Sequence, residues 1–202
     1  MAVKQKDGHR QRQAEATKQQ IARAARSLFA DRGYASTTIS AISEEADIPV
    51  QTIYSAFGSK ANILARITDA WMIDARTVSI ARASLREPDP AKRLVMLAEL
   101  NRRQLEVGYD VVGIYQEAAR TDAEMAETLR NVLAAREREI RTLVKAIRAR
   151  LKPGLTVEEA LDITLALTLP EVFRTLVVER GWNAKRYENW LAASLVDQLL
   201  AA

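Results

Sequence analysis

The stretch from Gly33 to Lys60 limits the fold of this chain more than any other part of the sequence. It predicts two short helices joined by a tight turn. Thr is favoured as the N-cap of a helix, because its hydroxyl accepts a hydrogen bond from a free backbone N–H. Asp is suited to the turn, because it tolerates a left-handed backbone. In the first helix the capping residues are Thr37 and Thr38, and the turn residue is Asp47. The apolar residues are Ile39, Ile42 and Ala46.

The second helix of this stretch begins at Pro49, which presets φ for a first helical turn, and ends at Gly58. Ile53, Ala56 and Phe57 form its inner face, and Val50, Gln51, Thr52, Tyr54 and Ser55 form its outer face or edges. A slim helix with a small, polar, uncharged outer face after a tight turn is typical of a helix-turn-helix motif, whose second helix enters the major groove of DNA.

This stretch resembles the DNA-binding motif of the TetR family of transcriptional regulators. The matching positions are Gly33, Tyr34, Thr37, Thr38, Ile39, Ile42, Ala46, Ile48, Thr52, Ile53, Tyr54, Phe57, Ser59 and Lys60. The departures are Ser43, Asp47, Pro49 and Gln51, where the family usually has Ala, Gly, Ser and Gly. Beyond residue 60 the resemblance is one of length and helical layout.

Side-chain chemistry predicts how the second helix reads DNA. Gln51 can pair bidentately with adenine, Val50 can touch a thymine methyl group, and Ser55 can reach a base or a phosphate. The resemblance implies that Thr38, Thr52, Tyr54 and Lys60 grip phosphates. For Thr37, helix capping alone is the alternative to a contact. The predicted DNA-binding residues are Thr37, Thr38, Pro49, Val50, Gln51, Thr52, Tyr54, Ser55 and Lys60.

Positive charge is concentrated at the N-terminal end. The net charge is only +4, but residues 1–32 carry 8 Lys or Arg against 3 Asp or Glu. Residues 1–14 are polar and basic without periodicity, which predicts a flexible basic arm. Beside a helix-turn-helix this charge favours double-stranded DNA as the partner. An inert solvated tail is the alternative.

The pattern of apolar residues predicts an all-α fold. Together with the resemblance it implies three parts: the arm at 1–14, a DNA-binding domain at 15–60, and a helical ligand-binding and dimerisation domain at 61–202. The predicted helices outside the motif are 15–32, 60–86, 90–107, 110–119, 121–151, 157–180 and 184–201. Pro170 is expected to kink the sixth of these helices, because its ring removes one hydrogen bond. Asp89, Thr121 and Thr156 are predicted caps.

The apolar character of the last two predicted helices indicates a homodimer. From Leu161 to Val178 the sequence is almost entirely apolar or Thr, so this helix needs burial on several sides. Two-fold dimers are the commonest assembly, and the resemblance implies that the last two helices pair with those of a second subunit. The predicted interface residues are Leu165, Val172, Leu176, Tyr187, Trp190, Leu191 and Leu195.

The remaining helices can enclose a pocket for a small-molecule effector. Its candidate wall residues, each of which also fits an ordinary core, are Trp71, Met96, Leu100, Tyr115, Met125 and Phe173. The resemblance implies a ligand-responsive regulator, most often a repressor, that leaves a palindromic operator when the effector binds. The effector would act only through its different affinities for the two states.

Two rival interpretations remain open. An all-α enzyme has little support, because the chain has no Cys, its one His is His9 in the arm, and no HExxH or glycine-rich phosphate loop appears. No catalytic residue, cofactor or metal is therefore predicted. A helical partner-binding module without DNA binding is the other interpretation. The sequence lacks a secretory signal and an apolar run near the roughly 20 residues of a membrane helix, which predicts a cytoplasmic protein without a membrane partner.

Overall fold

Helices make up the regular structure of the described part of the chain. The computed structural model describes the backbone of residues 2–201 and the side chains of residues 8–73 and 75–201. The α-helices are α1 (Ala2–Arg32), α2 (Ile39–Ala46), α3 (Val50–Phe57), α4 (Lys60–Asp74), α5 (Val78–Ser84), α6 (Pro90–Thr121), α7 (Ala123–Ala146), α8 (Val157–Leu167), α9 (Pro170–Phe173) and α10 (Ala184–Leu199). The predicted all-α fold class is confirmed. Over residues 2–201, no helix combines the length and apolar character needed to cross a membrane.

The chain divides into two compact units. The first, here called the reading unit, comprises Met1–Ala70 and Asp110–Glu127, and the second comprises Trp71–Tyr109 and Thr128–Ala202. This division differs from the predicted boundary after residue 60. Most of α4 and the segment 110–127 join the N-terminal helices, because three short helices alone bury too little apolar surface to be stable.

Helix α1 is longer than predicted. It begins at Ala2, where a helix was expected only from residue 15. The segment before residue 15 contains Lys, Gln, Arg and Ala, which are good helix formers, and no Pro. Once the buried part of the helix is nucleated, each further residue gains a hydrogen bond, so the helix extends outward. The side chains of residues 1–7 lie outside the described residues, and the mobility of the arm stays a prediction.

The predicted helix at 60–86 is two helices, α4 and α5. Arg76 lies between them with φ 51°, in the left-handed region, and its N–H is bonded to the carbonyl of Ile73. The turn places Ala75 and Thr77 inside the structure, each 2% exposed. Burial of both neighbours explains a break that no local signal in the sequence marks.

Helix α6 covers both helices predicted between 90 and 119, with a kink between them. Gly108 has non-helical angles there, φ −141° and ψ 28°. The indole ring of Trp71 lies so close that a Cβ on Gly108 would be 2.1 Å from Nε1, and this N–H donates to the carbonyl of Gln104 at 2.7 Å. Trp71 therefore packs into the kink and can do so only beside a glycine.

The helix caps are mostly as predicted. Asp89 caps α6 by accepting from the N–H of Ala91 at 2.9 Å, and Thr156 forms a complete capping box with Glu159 at the start of α8. The cap of α7 is corrected from Thr121 to Asp122, whose carboxylate accepts from the backbone N–H of residues 124 and 125.

Helix α8, helix α9 and a π-helix at Arg174–Glu179 replace the single kinked helix predicted at 157–180. Leu169 has ψ 142°, as expected for a residue that precedes proline, and Pro170 opens α9. The break exposes the carbonyl of Thr168, which accepts from Asn101 Nδ2 at 3.1 Å and from Arg136 Nη2 at 2.8 Å. Arg136 thus caps the end of α8, and its own burial lowers its pKa.

Polar side chains lie inside the second unit as well as apolar ones. Tyr187 is fully buried, and its hydroxyl donates to Asn101 Oδ1 at 2.7 Å. Glu188 is 5% exposed and forms ion pairs with Arg102 and Lys185. Burial by itself would raise the pKa of Glu188, but the hydrogen bonds from Lys185 and Arg102 outweigh it and hold this pKa below its usual value.

Candidate nucleic-acid interface

Helix α2 starts and ends as the sequence predicts. Thr38 is its N-cap and accepts from the N–H of Ala41 at 3.1 Å. Asp47 follows the last residue with φ 52° and ψ 45°, in the left-handed region. Gln20 on α1 donates from Nε2 to the carbonyl of Ala46 at 2.6 Å. The end of α2 is therefore fixed both by its own turn and by α1.

The turn between α2 and α3 is closed by short-range hydrogen bonds. The N–H of Ile48 donates to the carbonyl of Ser43 at 3.1 Å, and the Ser43 hydroxyl donates back to the carbonyl of Ile48 at 2.6 Å. Pro49 then caps α3, where the missing N–H of proline has no consequence. Ser43, one of the departures from the family pattern, thus helps to close the turn.

Helix α3 has one buried face and one open face. Ile53 is 1% exposed, and Ala56 and Phe57 are half-buried. The open face holds five of the predicted DNA-binding residues, all exposed: Val50, Gln51, Thr52, Tyr54 and Ser55. None of the eight residues of α3 is charged. The face presents an amide, three hydroxyls and a methyl-bearing side chain, which suit base edges and phosphate oxygens.

Thr37 and Lys60 have different roles from the other predicted contacts. Thr37 is only 2% exposed, and its hydroxyl donates inward to the carbonyl of Gly33 at 2.7 Å. Thr37 therefore offers almost no surface to DNA in this structure, and Thr38 provides the helix cap. Lys60 Nζ donates to the carbonyls of Tyr34 at 2.6 Å and Thr37 at 3.0 Å. Lys60 thus stabilises the turn before α2. Thr38 and Pro49 are exposed beside the open face.

Burial governs the ionisation of the groups behind the interface. It raises the pKa of Tyr34 to about 12, with Asp122 and Glu124 adding to the effect. Burial lowers the pKa of Lys60, although Glu117 and Asp122 oppose this shift. The ammonium group lies 4.2 Å from the centroid of the Tyr34 ring.

The sequence did not identify the residues from 110–127 that support the interface. Asp110 holds Arg26 of α1 through two hydrogen bonds of 2.7 Å. Glu117 accepts from the backbone N–H groups of Tyr34 and Ala35 in the turn before α2. These partners are more than 80 residues apart in the chain. No local pattern marks such pairs, so only the tertiary structure reveals them.

The structure divides the predicted effector-binding residues between the two units. Tyr115 and Met125 belong to the core of the reading unit, whereas Trp71, Met96, Leu100 and Phe173 belong to the second unit. The six residues therefore do not form one group within a single unit. In the part of the chain with described side chains, no group of His, Cys, Asp or Glu is arranged to hold a metal ion.

The predicted dimer residues are of two kinds. Tyr187, Leu191 and Leu195 have no exposed surface in the single chain. They pack inside the second unit, where Phe173 meets Tyr187 edge to face at 5.1 Å, so in this structure they leave no surface for a partner subunit. The other four predicted residues are half-buried and reach the surface: Leu165, Val172, Leu176 and Trp190.

Comparison with known proteins agrees with the geometry of the N-terminal helices. Residues 21–67 match the family model of the bacterial regulatory proteins of the tetR family. This match spans α2, the turn and α3, with parts of the two helices that flank them. Residues 21–67 are therefore similar to the DNA-binding region of the TetR family. No curated protein sequence matches the chain.

Solved structures extend the similarity from the N-terminal helices to the whole fold. NalD of Pseudomonas aeruginosa, the secondary repressor of the MexAB-OprM multidrug efflux pump, has a TM-score of 0.73 at 21% identity, over 94% of this chain and 98% of its own. A putative transcriptional regulator of Saccharomonospora viridis, in complex with choline, has a TM-score of 0.71 at 18% identity, over 93% and 100%. KstR2 of Mycobacterium tuberculosis, a ketosteroid transcriptional regulator, has a TM-score of 0.68 at 17% identity, over 92% and 95%.

Proposed function

We propose that this protein is a transcriptional repressor of the TetR family that binds a palindromic operator as a homodimer and is released by a small molecule. The observation that carries the proposal is the open face of α3. This face exposes Gln51, Thr52, Tyr54 and Ser55. The turn that precedes it is bounded by Asp47 after α2 and by Pro49 before α3. The similar fold of NalD, a repressor, supports the direction of regulation.

Two residues on this open face have separable roles in the proposal. Gln51 carries an amide that can pair bidentately with adenine, so it reads sequence. Tyr54, 50% exposed, offers a hydroxyl that suits a phosphate oxygen and so contributes the same energy at every sequence. Both side chains point away from the core, so each can be changed without altering the packing of α3.

The experiment begins with selection of bound fragments from genomic DNA by the purified protein, followed by Gln51→Ala and Tyr54→Phe on the selected operator. Gln51→Ala should change the preferred base at one position of each half-site, with a loss of about 1–3 kcal/mol at the original sequence. Tyr54→Phe should weaken specific and random duplexes equally. Equal, sequence-independent losses from both variants would contradict this division.

The dimer is proposed to form through α8, α9 and α10. Leu169 and Val178 are 42% and 59% exposed in this part of the chain, next to the half-buried Leu165, Val172, Leu176 and Trp190. Apolar surface of this kind favours association with a partner. A two-fold pair would present two α3 helices to half-sites about 34–36 Å apart, one turn of DNA.

Val178→Glu tests the dimer, and Val132→Glu on α7 is its matched control. The two valines are 59% and 52% exposed, so both variants place the same charge on surface of similar exposure. Sedimentation at micromolar concentration should show a monomer for Val178→Glu and a dimer for Val132→Glu. A monomeric wild-type protein would overturn the dimer.

The effector is proposed to bind the second unit. The choline complex of the Saccharomonospora viridis regulator supports a ligand site in this fold. An effector that releases the operator must bind the free protein more tightly than the DNA-bound protein, and the operator must weaken effector binding by the same factor. Titration calorimetry of choline, the first probe, with and without operator measures one factor, and titration of operator with and without choline measures the other.

DNA selection also separates the regulator from the two rival interpretations. An enzyme or a partner-binding helical module would retain no duplex in preference to random competitor at moderate salt. That result, repeated with cell extract to supply missing ligands, would reject the proposed function.

A further inference from the structure

The turn between α1 and α2 contains two consecutive backbone N–H groups, those of Tyr34 and Ala35, that point to the carboxylate of Glu117. Ala35 N lies 3.3 Å from Oε1, and Tyr34 N donates to Oε2. The neighbouring N–H of Gly33 completes α1 by bonding to the carbonyl of Phe29 at 3.1 Å. The carboxylate is therefore the acceptor of two N–H groups that the helices on either side leave unused.

The backbone of this turn is shaped around the carboxylate. Gly33 has φ 86°, in the left-handed region that glycine favours. A Cβ at Gly33 would lie 2.9 Å from Oε1 of Glu117, closer than carbon and oxygen can approach. Successive N–H groups beside a left-handed residue form a concave nest that binds anions. Here the anion is a side chain of the same unit.

A cation holds the carbonyl groups of the same turn. Lys60 Nζ donates to the carbonyls of Tyr34 and Thr37, the residue immediately before the N-cap of α2. Glu117 opposes the effect of burial on the pKa of Lys60. The residues that precede α2 are thus fixed by Glu117 at their N–H groups and by Lys60 at their carbonyls.

We propose that Glu117 is a positioning residue for DNA binding, whose carboxylate in the nest of Tyr34 and Ala35 sets where α2 begins and so how α3 meets the major groove. This proposal rests on the proposed function. It differs from the roles on α3, because Glu117 lies on α6, 83 residues from Tyr34 along the chain. It acts on DNA affinity through the turn alone.

Three variants test the proposal. Glu117→Gln keeps the shape of the side chain and removes its charge, Glu117→Ala leaves a space that formate can fill, and Glu127→Gln is the control, an exposed glutamate of the reading unit with the same change in charge. Glu117→Gln should weaken operator binding about tenfold, because a neutral amide oxygen binds the two N–H groups less strongly than a carboxylate does. Glu127→Gln should change affinity less than twofold.

A direct signature comes from the amide protons of Tyr34 and Ala35 in NMR spectra of the free protein. Both resonances should move upfield in Glu117→Gln and remain in place in Glu127→Gln, because hydrogen bonds to a carboxylate shift amide protons downfield. Formate should restore operator affinity to Glu117→Ala, and chloride at equal ionic strength should not. A side chain that only filled space would give neither result.

The outcomes separate this proposal from the one on which it rests. Unchanged amide resonances in Glu117→Gln, no rescue by formate beyond that by chloride, or equal losses in Glu117→Gln and Glu127→Gln would each overturn the role of Glu117. Failure of the wild-type protein to prefer any duplex would overturn the proposed function and with it the DNA-positioning role, while the amide resonances would still report whether the nest binds the carboxylate.

Discussion

Helix α3 of the reading unit and the interior of the second unit use polar side chains in opposite ways. In the reading unit, the amide and hydroxyl groups of α3 face outward, beside a turn held by short-range bonds. In the second unit, Asn101, Thr168, Tyr187 and Glu188 are buried and bonded to one another or to arginines. A polar group turned outward is available for recognition, whereas a buried one fixes packing, because leaving it unpaired is costly. The predictions below test this contrast from the largest expected effect to the smallest.

The kink of α6 should give the largest effect. Gly108→Ala places a methyl group against the rigid Trp71 indole, 2.1 Å from Nε1, so the ring must move. Urea denaturation should show a loss of about 3 kcal/mol in the free energy of unfolding. The matched control is Gly113→Ala on the same helix, where a Cβ meets nothing within 4 Å. This variant should raise the free energy of unfolding by about 0.5–1 kcal/mol. Equal effects at both glycines would show that contact with Trp71 is not the cause of the loss at Gly108.

The ion pairs of Glu188 should give the next effect. Glu188→Gln leaves Arg102 without its buried carboxylate partner and should lower the free energy of unfolding at pH 7 by about 2 kcal/mol. This is below the range for a fully buried pair, since Lys185 is exposed.

The effect of Glu188→Gln should depend on pH in one direction. The folded-state pKa of Glu188 is held below its usual value of 4.5, so its stabilisation is complete above pH 4.5 and is lost as the pH falls below it. The difference between wild type and variant should therefore shrink in urea titrations below pH 4.5. A difference that stays constant through this range would mean that charge is not the cause.

Two threonine caps compare the units directly. Thr38→Ala and Thr156→Ala each remove a side-chain cap, of α2 and α8 respectively, and should each cost about 1 kcal/mol of stability. Only Thr38→Ala should also weaken operator binding in a fluorescence anisotropy titration, because α2 leads into α3. Thr38→Ser, which keeps the capping oxygen, should retain both properties. Equal loss of operator affinity in Thr156→Ala would contradict the separation of roles.

The smallest effects are expected at Asp47 and Arg76, the non-glycine residues with positive φ in the described part of the chain, one in each unit. Asp47→Gly should raise the free energy of unfolding by about 0.5 kcal/mol and Arg76→Gly by about 1 kcal/mol. The backbone angles are nearly equal, φ 52° at Asp47 and 51° at Arg76. The gain is larger at Arg76, because Asp tolerates the left-handed region better than Arg does. Thermal unfolding at pH 7 measures both, and a reversed order would show that tertiary contacts outweigh backbone strain.

The sequence predicted the helix boundaries of the reading unit more fully than those of the second unit. Thr38, Asp47, Pro49 and Gly58 are strong local signals, and they lie at the boundaries of α2 and α3. The break at Arg76 was missed, because it follows from the burial of Ala75 and Thr77 rather than from a turn-forming residue.

Buried and surface positions in the last helix were also confused. Tyr187, Leu191 and Leu195 repeat at helical spacing and were assigned to a dimer interface, but they are fully buried in the single chain. Periodicity identifies an apolar face without saying what covers that face. Contacts made by other helices of the same unit decide between core and interface.

The order of residues alone determined an all-helical chain with a TetR-like motif at 33–60 and an uncharged outer face on α3, because caps, turns and periodicity act over only a few residues. Tertiary structure decided that Thr37 and Lys60 serve the turn before α2, that Trp71 packs against Gly108, and that Glu117 binds the N–H groups of Tyr34 and Ala35. These partners lie far apart along the chain or depend on packing between helices. Their interactions therefore arise only when folding brings the helices together.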